Sequence, residues 1–329
     1  MAKARITLIG LGVTGNSIGL ALRAGTRDYE VIGHDKDMAA VNEAKRLASV
    51  DKLEWNLINA CDGAGLIILA LPFAAIHDTL AALAGELSEG AVILDTAGLK
   101  QPVQAWADAL LPATVAYIGT HPIVPANDHE PSAELFDKCL WALCPATHTE
   151  ERAVQVANDL VLRLGAKPLF LDALEHDGLM AAVEQMPALY SNALLHSITT
   201  QPAWRELRKV AGGPFEQLTS AASATPESLI EAWQTNQPHL LHALDTVLAT
   251  LTTWRDLLAA GDAAALQAPL EEAAQARTEW LNARSRQEWE NNAAPVSQPP
   301  GMIKILLGKG RQRKDYGRRA GSAADTRSA

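Results

Sequence analysis

The sequence predicts an α/β chain: a doubly wound, mostly parallel sheet followed by an all-helical second domain. Two observations carry this expectation. From the N-terminus to Asp172, short runs rich in Ile, Leu and Val alternate with Ala- and Leu-rich stretches at helical spacing. Strands sandwiched between helical layers are apolar on both faces, and alternating β and α units build a parallel sheet. After Asp172 the strand-like runs stop and only helical periodicity remains. With 329 residues, 48% of them hydrophobic, the chain is long enough for two domains with sizeable cores. The expected division is 1–172 for the first domain, 173–290 for the second and 291–329 for a disordered basic tail.

Taken in order, Ile6-Thr7-Leu8-Ile9 reads as the first strand, Val13 to Ala24 as a helix and Tyr29 to Gly33 as the second strand. Leu66 to Leu71, Ala91 to Leu94, Val115 to Ile118 and Leu140 to Leu143 continue the sheet, with Ala74 to Leu87 helical between two of them. Glu151 to Leu164 is a helix ended by Gly165, and Leu169 to Leu171 is a last short strand. In the second domain, Leu174 to Ser197 reads as one long helix kinked at Pro187. Gly212-Gly213-Pro214 breaks the chain, and Thr225 is placed to cap a helix that has Pro226 just inside its start. Pro238 to Leu258 and Ala263 to Trp289 add two more helices, and Asn291 to Pro300 is a polar, proline-containing linker.

Charge and composition exclude several functions. The whole chain carries 28 basic and 38 acidic residues, a net charge of -10. From Gly301 onward eight basic residues face two acidic ones, so the body before the tail is strongly acidic. An acidic body repels phosphate backbones, and no nucleic-acid partner is expected. No apolar run reaches the roughly 18–20 residues of a membrane span, and Met1 to Arg5 leads straight into a strand with no signal-peptide pattern. The three cysteines, Cys61, Cys139 and Cys144, fit neither a disulfide framework nor a zinc site, so a reducing cytoplasm is the expected setting. His121 and His129 lack the carboxylate pattern of a metal site, and no metal is expected.

The chemistry starts at Gly10-Leu11-Gly12-Val13-Thr14-Gly15, a G-x-G-x-x-G run between the first strand and its helix, with Asp35 at the end of the next strand. In this context the motif points to a Rossmann-type dinucleotide site. Gly10 permits the tight turn, Gly12 lets backbone approach a pyrophosphate, and Gly15 allows close packing of helix on strand. Asp35 is placed to bind ribose hydroxyls and repel a 2′-phosphate, which favours NAD. Lys36 beside it keeps NADP as the second choice. Asp37 is expected to cap the following helix. Ligands bind beyond the carboxyl ends of parallel strands. Three further segments end there: Leu71-Pro72, which would cover the nicotinamide half, Asp95 to Lys100, which adds a lysine to the cofactor site, and Gly119-Thr120-His121-Pro122. A histidine at a strand end in this crevice favours a functional role over a packing one. His176-Asp177 reads as a structural pair at the start of a helix.

Together, Gly10-x-Gly12-x-x-Gly15, Asp35, Asp95-Thr-Ala-Gly-Leu-Lys100, Gly119-Thr-His121-Pro122 and Glu175-His176-Asp177 resemble the prephenate dehydrogenases over roughly residues 4–260, and Phe215 to Asn236, with Pro226 and Trp233, is similar to that family's second domain. The resemblance implies NAD-dependent oxidative decarboxylation of prephenate or arogenate, on the route to tyrosine, by a homodimer in which His121 meets the substrate hydroxyl. The sequence departs from the family in the substrate half. Gly98 stands where members carry a serine, Glu184-Gln185-Met186-Pro187-Ala188 replaces a Ser-His-Leu-Pro-His segment, His121-Pro122-Ile123-Val124-Pro125 replaces His-Pro-Met-x-Gly, and Ser220 aligns with an arginine that holds substrate carboxylate. Gly98 and Gln185 are therefore expected at the substrate, with Arg205, Arg208 or Lys209 supplying the displaced cation. Two alternatives stay open: a dehydrogenase of this architecture for a different small acid, and a non-catalytic NAD-binding sensor.

Overall fold

The computed structural model describes residues 3–25, 27–124, 130–223 and 225–286. The expected tail, the linker from Asn291 and His129 lie outside the described residues. The strands are β1 (Ala4–Ile9), β2 (Tyr29–His34), β3 (Lys52–Leu53), β4 (Leu66–Leu69), β5 (Val92–Asp95), β6 (Ala116–Ile123), β7 (Leu140–Pro145) and β8 (Lys167–Phe170). They form one sheet in the order β3-β2-β1-β4-β5-β6-β7-β8. All pairings are parallel except β6 with β7. The chain leaves β1 toward β2 and β3, then returns to the other side of β1 at β4. That reversal opens a crevice at the carboxyl ends of β1 and β4.

Between the strands run α1 (Val13–Arg23), α2 (Met38–Leu47), α3 (Leu57–Cys61), α4 (Phe73–Leu83), α5 (Gln101–Leu110) and α6 (Glu151–Arg163). They divide the apolar interior into two clusters. One packs Ile6, Leu8, Ile18, Leu22, Trp141 and Val156 together, and the other packs Ile67, Leu69, Ile76, Leu80, Ile93 and Val103. Residues alternating along one strand, such as Ile67 and Ile68, go to opposite clusters, which is why the strands read as continuous apolar runs. Asp37 caps α2 by accepting from the Ala39 amide at 2.9 Å, and Gly165, at φ +79°, follows α6.

The second part is helical: α7 (Ala173–Met180), a π-helical turn (Ala181–Gln185), α8 (Met186–Thr199), α9 (Trp204–Val210), α10 (Gly213–Thr219), a 3₁₀ turn (Ser220–Ser223), α11 (Pro226–Thr235), α12 (Gln237–Ala260) and α13 (Ala263–Arg286). The helix expected over Leu174 to Ser197 is thus interrupted, and Pro187 lies in the first turn of α8. A proline there has no amide to donate and its ring crowds the preceding turn, so the backbone widens to π geometry just before it. The Gly212-Gly213-Pro214 break opens directly into α10, with Pro214 in its first turn. Thr225 stands at the N-cap of α11, but its hydroxyl pairs with Ser228 Oγ at 3.0 Å and leaves the helix amides uncapped. Over α9 to α13, among the described residues, only Asn236 and Leu240 are buried.

Candidate active site

At the carboxyl end of β1 the glycine turn is built by close contacts. Gly10 has φ +94° and donates its amide to the His34 carbonyl at 2.9 Å. A Cβ on Gly10 would lie 2.1 Å from the Ala70 carbonyl oxygen, and one on Gly15 would lie 1.9 Å from the Gly10 oxygen. Neither position admits a side chain. Gly12 differs, because a Cβ there would meet nothing within 4 Å. Gly12 and Val13 are exposed, Thr14 is half-buried, and no side chain caps the first turn of α1. Uncapped amides at a helix start facing open space suit a diphosphate. Asp35 accepts from the Leu11 amide at 2.7 Å and the Asp37 amide at 2.8 Å, which ties the acid to the glycine turn. Behind the turn, the Asn16 side chain donates from Nδ2 to the Leu11 carbonyl and accepts at Oδ1 from Ser49 Oγ at 2.6 Å. Leu71 packs on the second core cluster, and the exposed Pro72 starts α4. The residues present therefore fit a dinucleotide.

His121 does not end its strand. β5 pairs only with Ala116 to Ile118, whereas β7 pairs antiparallel with β6 as far as Ile123, opposite His121 at Ala142. The antiparallel partner carries β6 past the end of the parallel layer, and His121 projects from that overhang. Its ring is buried. Nδ1 lies 3.1 Å from Nε2 of His176, and Nδ1 of His176 lies 2.9 Å from Oδ1 of Asp177. Asp177 also accepts the Lys100 amide at 2.7 Å and the Gln101 amide at 2.9 Å, so it caps α5 from the neighbouring domain. The pairing assigns the protons. A carboxylate only accepts, so a neutral His176 donates from Nδ1 and accepts at Nε2. His121 must then donate from Nδ1, which leaves the Nε2 lone pair free. Burial, the nearby Lys100 charge and His176 hold the His121 pKa well below 6.5 and keep the ring neutral. His176 and Asp177 are thus more than the structural pair expected from sequence. They orient the base, and the signal for this was Glu-His-Asp at the boundary between the domains.

The Lys100 side chain corrects a second expectation. It does not line the cofactor crevice. It is fully buried, with Nζ donating to Asp95 Oδ1 and, at 2.7 Å, to the Thr120 carbonyl. Asp95 also accepts from the Ala97 amide at 2.8 Å, the Tyr117 hydroxyl and the Thr120 amide at 3.4 Å. Burial and Asp95 push the Tyr117 phenol well above 10. This ion pair lies close to His121; the sequence singles out the Asp95 to Lys100 segment without giving Asp95 a role, and it does not single out Tyr117.

The expected substrate contacts divide. Gly98 is exposed, and a Cβ on it would lie 3.9 Å from Glu184 Oε2. Glu184 Oε1 is 3.8 Å from His121 Nε2, so Gly98, Glu184 and His121 share one space. Gln185 is not part of it. It is buried, accepts from Asn236 Nδ2 at 3.0 Å and donates to the Ala232 carbonyl at 3.4 Å. The π turn directs Glu184 and Gln185 to opposite sides. Arg205 is 83% exposed on α9, where Glu206 is its ion-pair partner, and Glu206 also pairs with Lys209. Arg208 is exposed as well. The α9 cations are solvated on a surface helix, contrary to the expected substrate role, and the Ser220 hydroxyl is taken up by the Gln217 carbonyl. Among the described residues, no three His, Cys, Asp or Glu side chains converge to hold a metal ion.

Comparison with known proteins identifies the family and the fold. The model of the prephenate dehydrogenase nucleotide-binding domain matches residues 18–169, and that of the prephenate dehydrogenase dimerization domain matches 172–272. The chain is 27% identical over 261 residues to a prephenate dehydrogenase of Bacillus subtilis (strain 168), covering 77% of this chain and 67% of that protein. It is 26% identical to a cyclohexadienyl dehydrogenase of Zymomonas mobilis subsp. mobilis, covering 83% and 94%. A prephenate dehydrogenase from A. aeolicus, crystallised with hydroxyphenyl propionate and NAD+, shares the fold with a TM-score of 0.78 at 19% identity, over 85% of this chain and 99% of the other. A Synechocystis arogenate dehydrogenase gives 0.73 at 22% identity, over 84% and 99%.

Proposed function

The chain belongs to the prephenate dehydrogenase family, and from that premise we propose that it oxidises and decarboxylates prephenate, or its amino counterpart arogenate, with His121 as the base. It is an NAD-dependent dehydrogenase of the prephenate dehydrogenase type. The observation that carries the assignment of roles is the His121–His176–Asp177 chain, which leaves a neutral imidazole with its Nε2 lone pair free. NAD held at the glycine turn would supply the hydride acceptor for the ring carbon that bears the hydroxyl. Nε2 of His121 takes the hydroxyl proton as the carbonyl forms. His176 and Asp177 steady the imidazolium that results. Loss of carbon dioxide makes the ring aromatic and supplies most of the driving force. The glycine turn, with Leu11, Val13, Thr14 and Asp35, would hold the dinucleotide, and Leu71 and Pro72 would flank its nicotinamide half. Gly98 would lie beside the substrate.

A homodimer is part of the proposal. Apolar side chains of the helical part stay exposed, among them Val183, Leu241, Leu248, Leu251 and Leu258, and the matching family domain is one of dimerization. Monomers rarely leave so much apolar surface open. No helix among the described residues is long and apolar enough to cross a membrane. The three cysteines are unpaired and buried, which supports a reducing, cytoplasmic setting.

One observation favours a second reading, a different small acid as substrate: the α9 cations stay in solvent and Glu184 faces His121. The test is reduction of NAD by the purified protein with prephenate, arogenate and a panel of hydroxy acids. Turnover with prephenate or arogenate is expected. Turnover with another acid alone would establish the second reading, and reduction with none would overturn both.

A further inference from the structure

We propose that Glu184 is the proton exit of the active site: it receives from His121 Nε2 the proton taken from the substrate and passes it to bulk water. The inference rests on the reading of His121 as base. Its geometric basis is independent of that reading. His121 Nδ1 is engaged with His176, so a proton arriving at Nε2 cannot leave by the inner side without reversing both tautomers. On the outer side, Glu184 Oε1 stands 3.8 Å from Nε2, within ion-pair reach and beyond a hydrogen bond. The Glu184 side chain is 45% exposed while that of His121 is 10% exposed, so the carboxylate bridges a buried base and solvent.

Two features frame it. Gly98 borders the carboxylate, since a Cβ there would rest in ordinary contact 3.9 Å from Oε2, and Gln185, the next residue, is anchored to Asn236 and Ala232. The π turn therefore has one side fixed in the helical part and the other open to His121. Burial raises the Glu184 pKa, which strengthens it as a proton acceptor. The charged and titratable groups around His121 are Lys100 and Asp95 close to it, Tyr117 on its own strand, His176 and Asp177 on α7, and Glu184 across the opening. Lys100 is committed to Asp95, and Asp177 to His176 and the start of α5. Glu184 is the carboxylate of this set whose ion-pair contact is with His121 itself.

The step balances. As hydride leaves the substrate carbon for NAD, the hydroxyl O–H bond breaks and its proton bonds to Nε2. The imidazolium then gives that proton to the Glu184 carboxylate, which releases it to water, and both groups return to their starting state.

The experiment compares the parent with Glu184→Gln and Glu184→Asp. It reads the pH profile of kcat/KM, the affinity for NAD, and the NMR titration of the His121 ring without substrate, assigned with His121→Asn. A carboxylate this close favours the charged imidazole while it is ionised, so Glu184→Gln should move the acid limb and the His121 titration to lower pH, by up to about one unit. Plateau kcat should fall by at most about tenfold, the full loss in base strength for a one-unit shift. NAD affinity should not change, and Glu184→Asp should be intermediate. In Glu184→Ala, added formate should restore rate as its concentration rises. An unchanged titration in Glu184→Gln, or no response to formate in Glu184→Ala, would overturn the exit role while leaving the base assignment standing. Failure of the parent to reduce NAD with any acid would overturn the functional reading and this inference with it.

Discussion

Replacing Lys100 by Met tests the ion pair close to His121, with a magnitude that follows from its burial. The Lys100 and Asp95 side chains are 1% and 0% exposed, and the ammonium is the one cation paired with that carboxylate. Its loss strands a buried charge, which typically costs 3–5 kcal/mol. Asp95 would keep neutral donors in the Ala97 amide, the Tyr117 hydroxyl and the Thr120 amide, which places the cost at the lower end, about 3 kcal/mol. With an m-value of about 2 kcal/mol/M for a domain of this size, the urea midpoint should fall by roughly 1.5 M. Adding Asp95→Asn to Lys100→Met removes the stranded charge and should recover most of that loss. The second readout is catalytic. The Lys100 charge lowers the His121 pKa, so Lys100→Met should move the acid limb of kcat/KM to higher pH, opposite to Glu184→Gln. A Lys100→Met protein that unfolds within about 0.5 M urea of the parent, with the double variant no better, would refute the argument.

His121→Asn should lower kcat by about 10²–10⁴ with NAD affinity nearly unchanged; near-normal turnover would make His121 merely structural. Asp35→Ala should weaken NAD binding and relax discrimination against NADP; tighter binding of NADP than NAD by the parent, in a titration, would contradict the role given to Asp35. His121 is held below its unfolded pKa, so its contribution to stability is full above about pH 6.5 and is lost as pH falls toward the folded pKa, at up to about 1.4 kcal/mol per pH unit. His121→Asn should accordingly flatten the fall in urea midpoint between pH 7 and pH 5, and an equal slope in both proteins would count against a buried neutral ring.

Local pattern carried the strands, most helices and the glycine turn, because each is encoded by residues adjacent in the chain. The limits were set by contacts between distant segments. The length of β6 depends on its antiparallel partner β7, and nothing within Ala116 to Ile123 announces that partner. The sequence places Lys100 in the cofactor site because its segment follows a strand end at the crevice, while its burial is decided by Asp95 and the Thr120 carbonyl. Gln185 and Glu184 are neighbours in sequence, yet the π turn ahead of Pro187 sends one into the helical part and the other into the cleft. The α9 cations were assigned to substrate by nearness in sequence, a poor guide where helices project into solvent. His176 was discounted because a histidine beside an aspartate is common at helix starts. Only the fold shows its far nitrogen 3.1 Å from His121.

The contact of Asp177 with the first amides of α5 joins two parts of the chain 76 and 77 residues apart. The same carboxylate fixes which nitrogen of His176, and through it of His121, is bare. The molecule therefore behaves as an interlock. Were that contact broken, α5 would lose its cap and His121 the partner that sets its tautomer, both at once. An imidazole without that partner could turn either nitrogen outward, so the working base depends on the two parts staying joined.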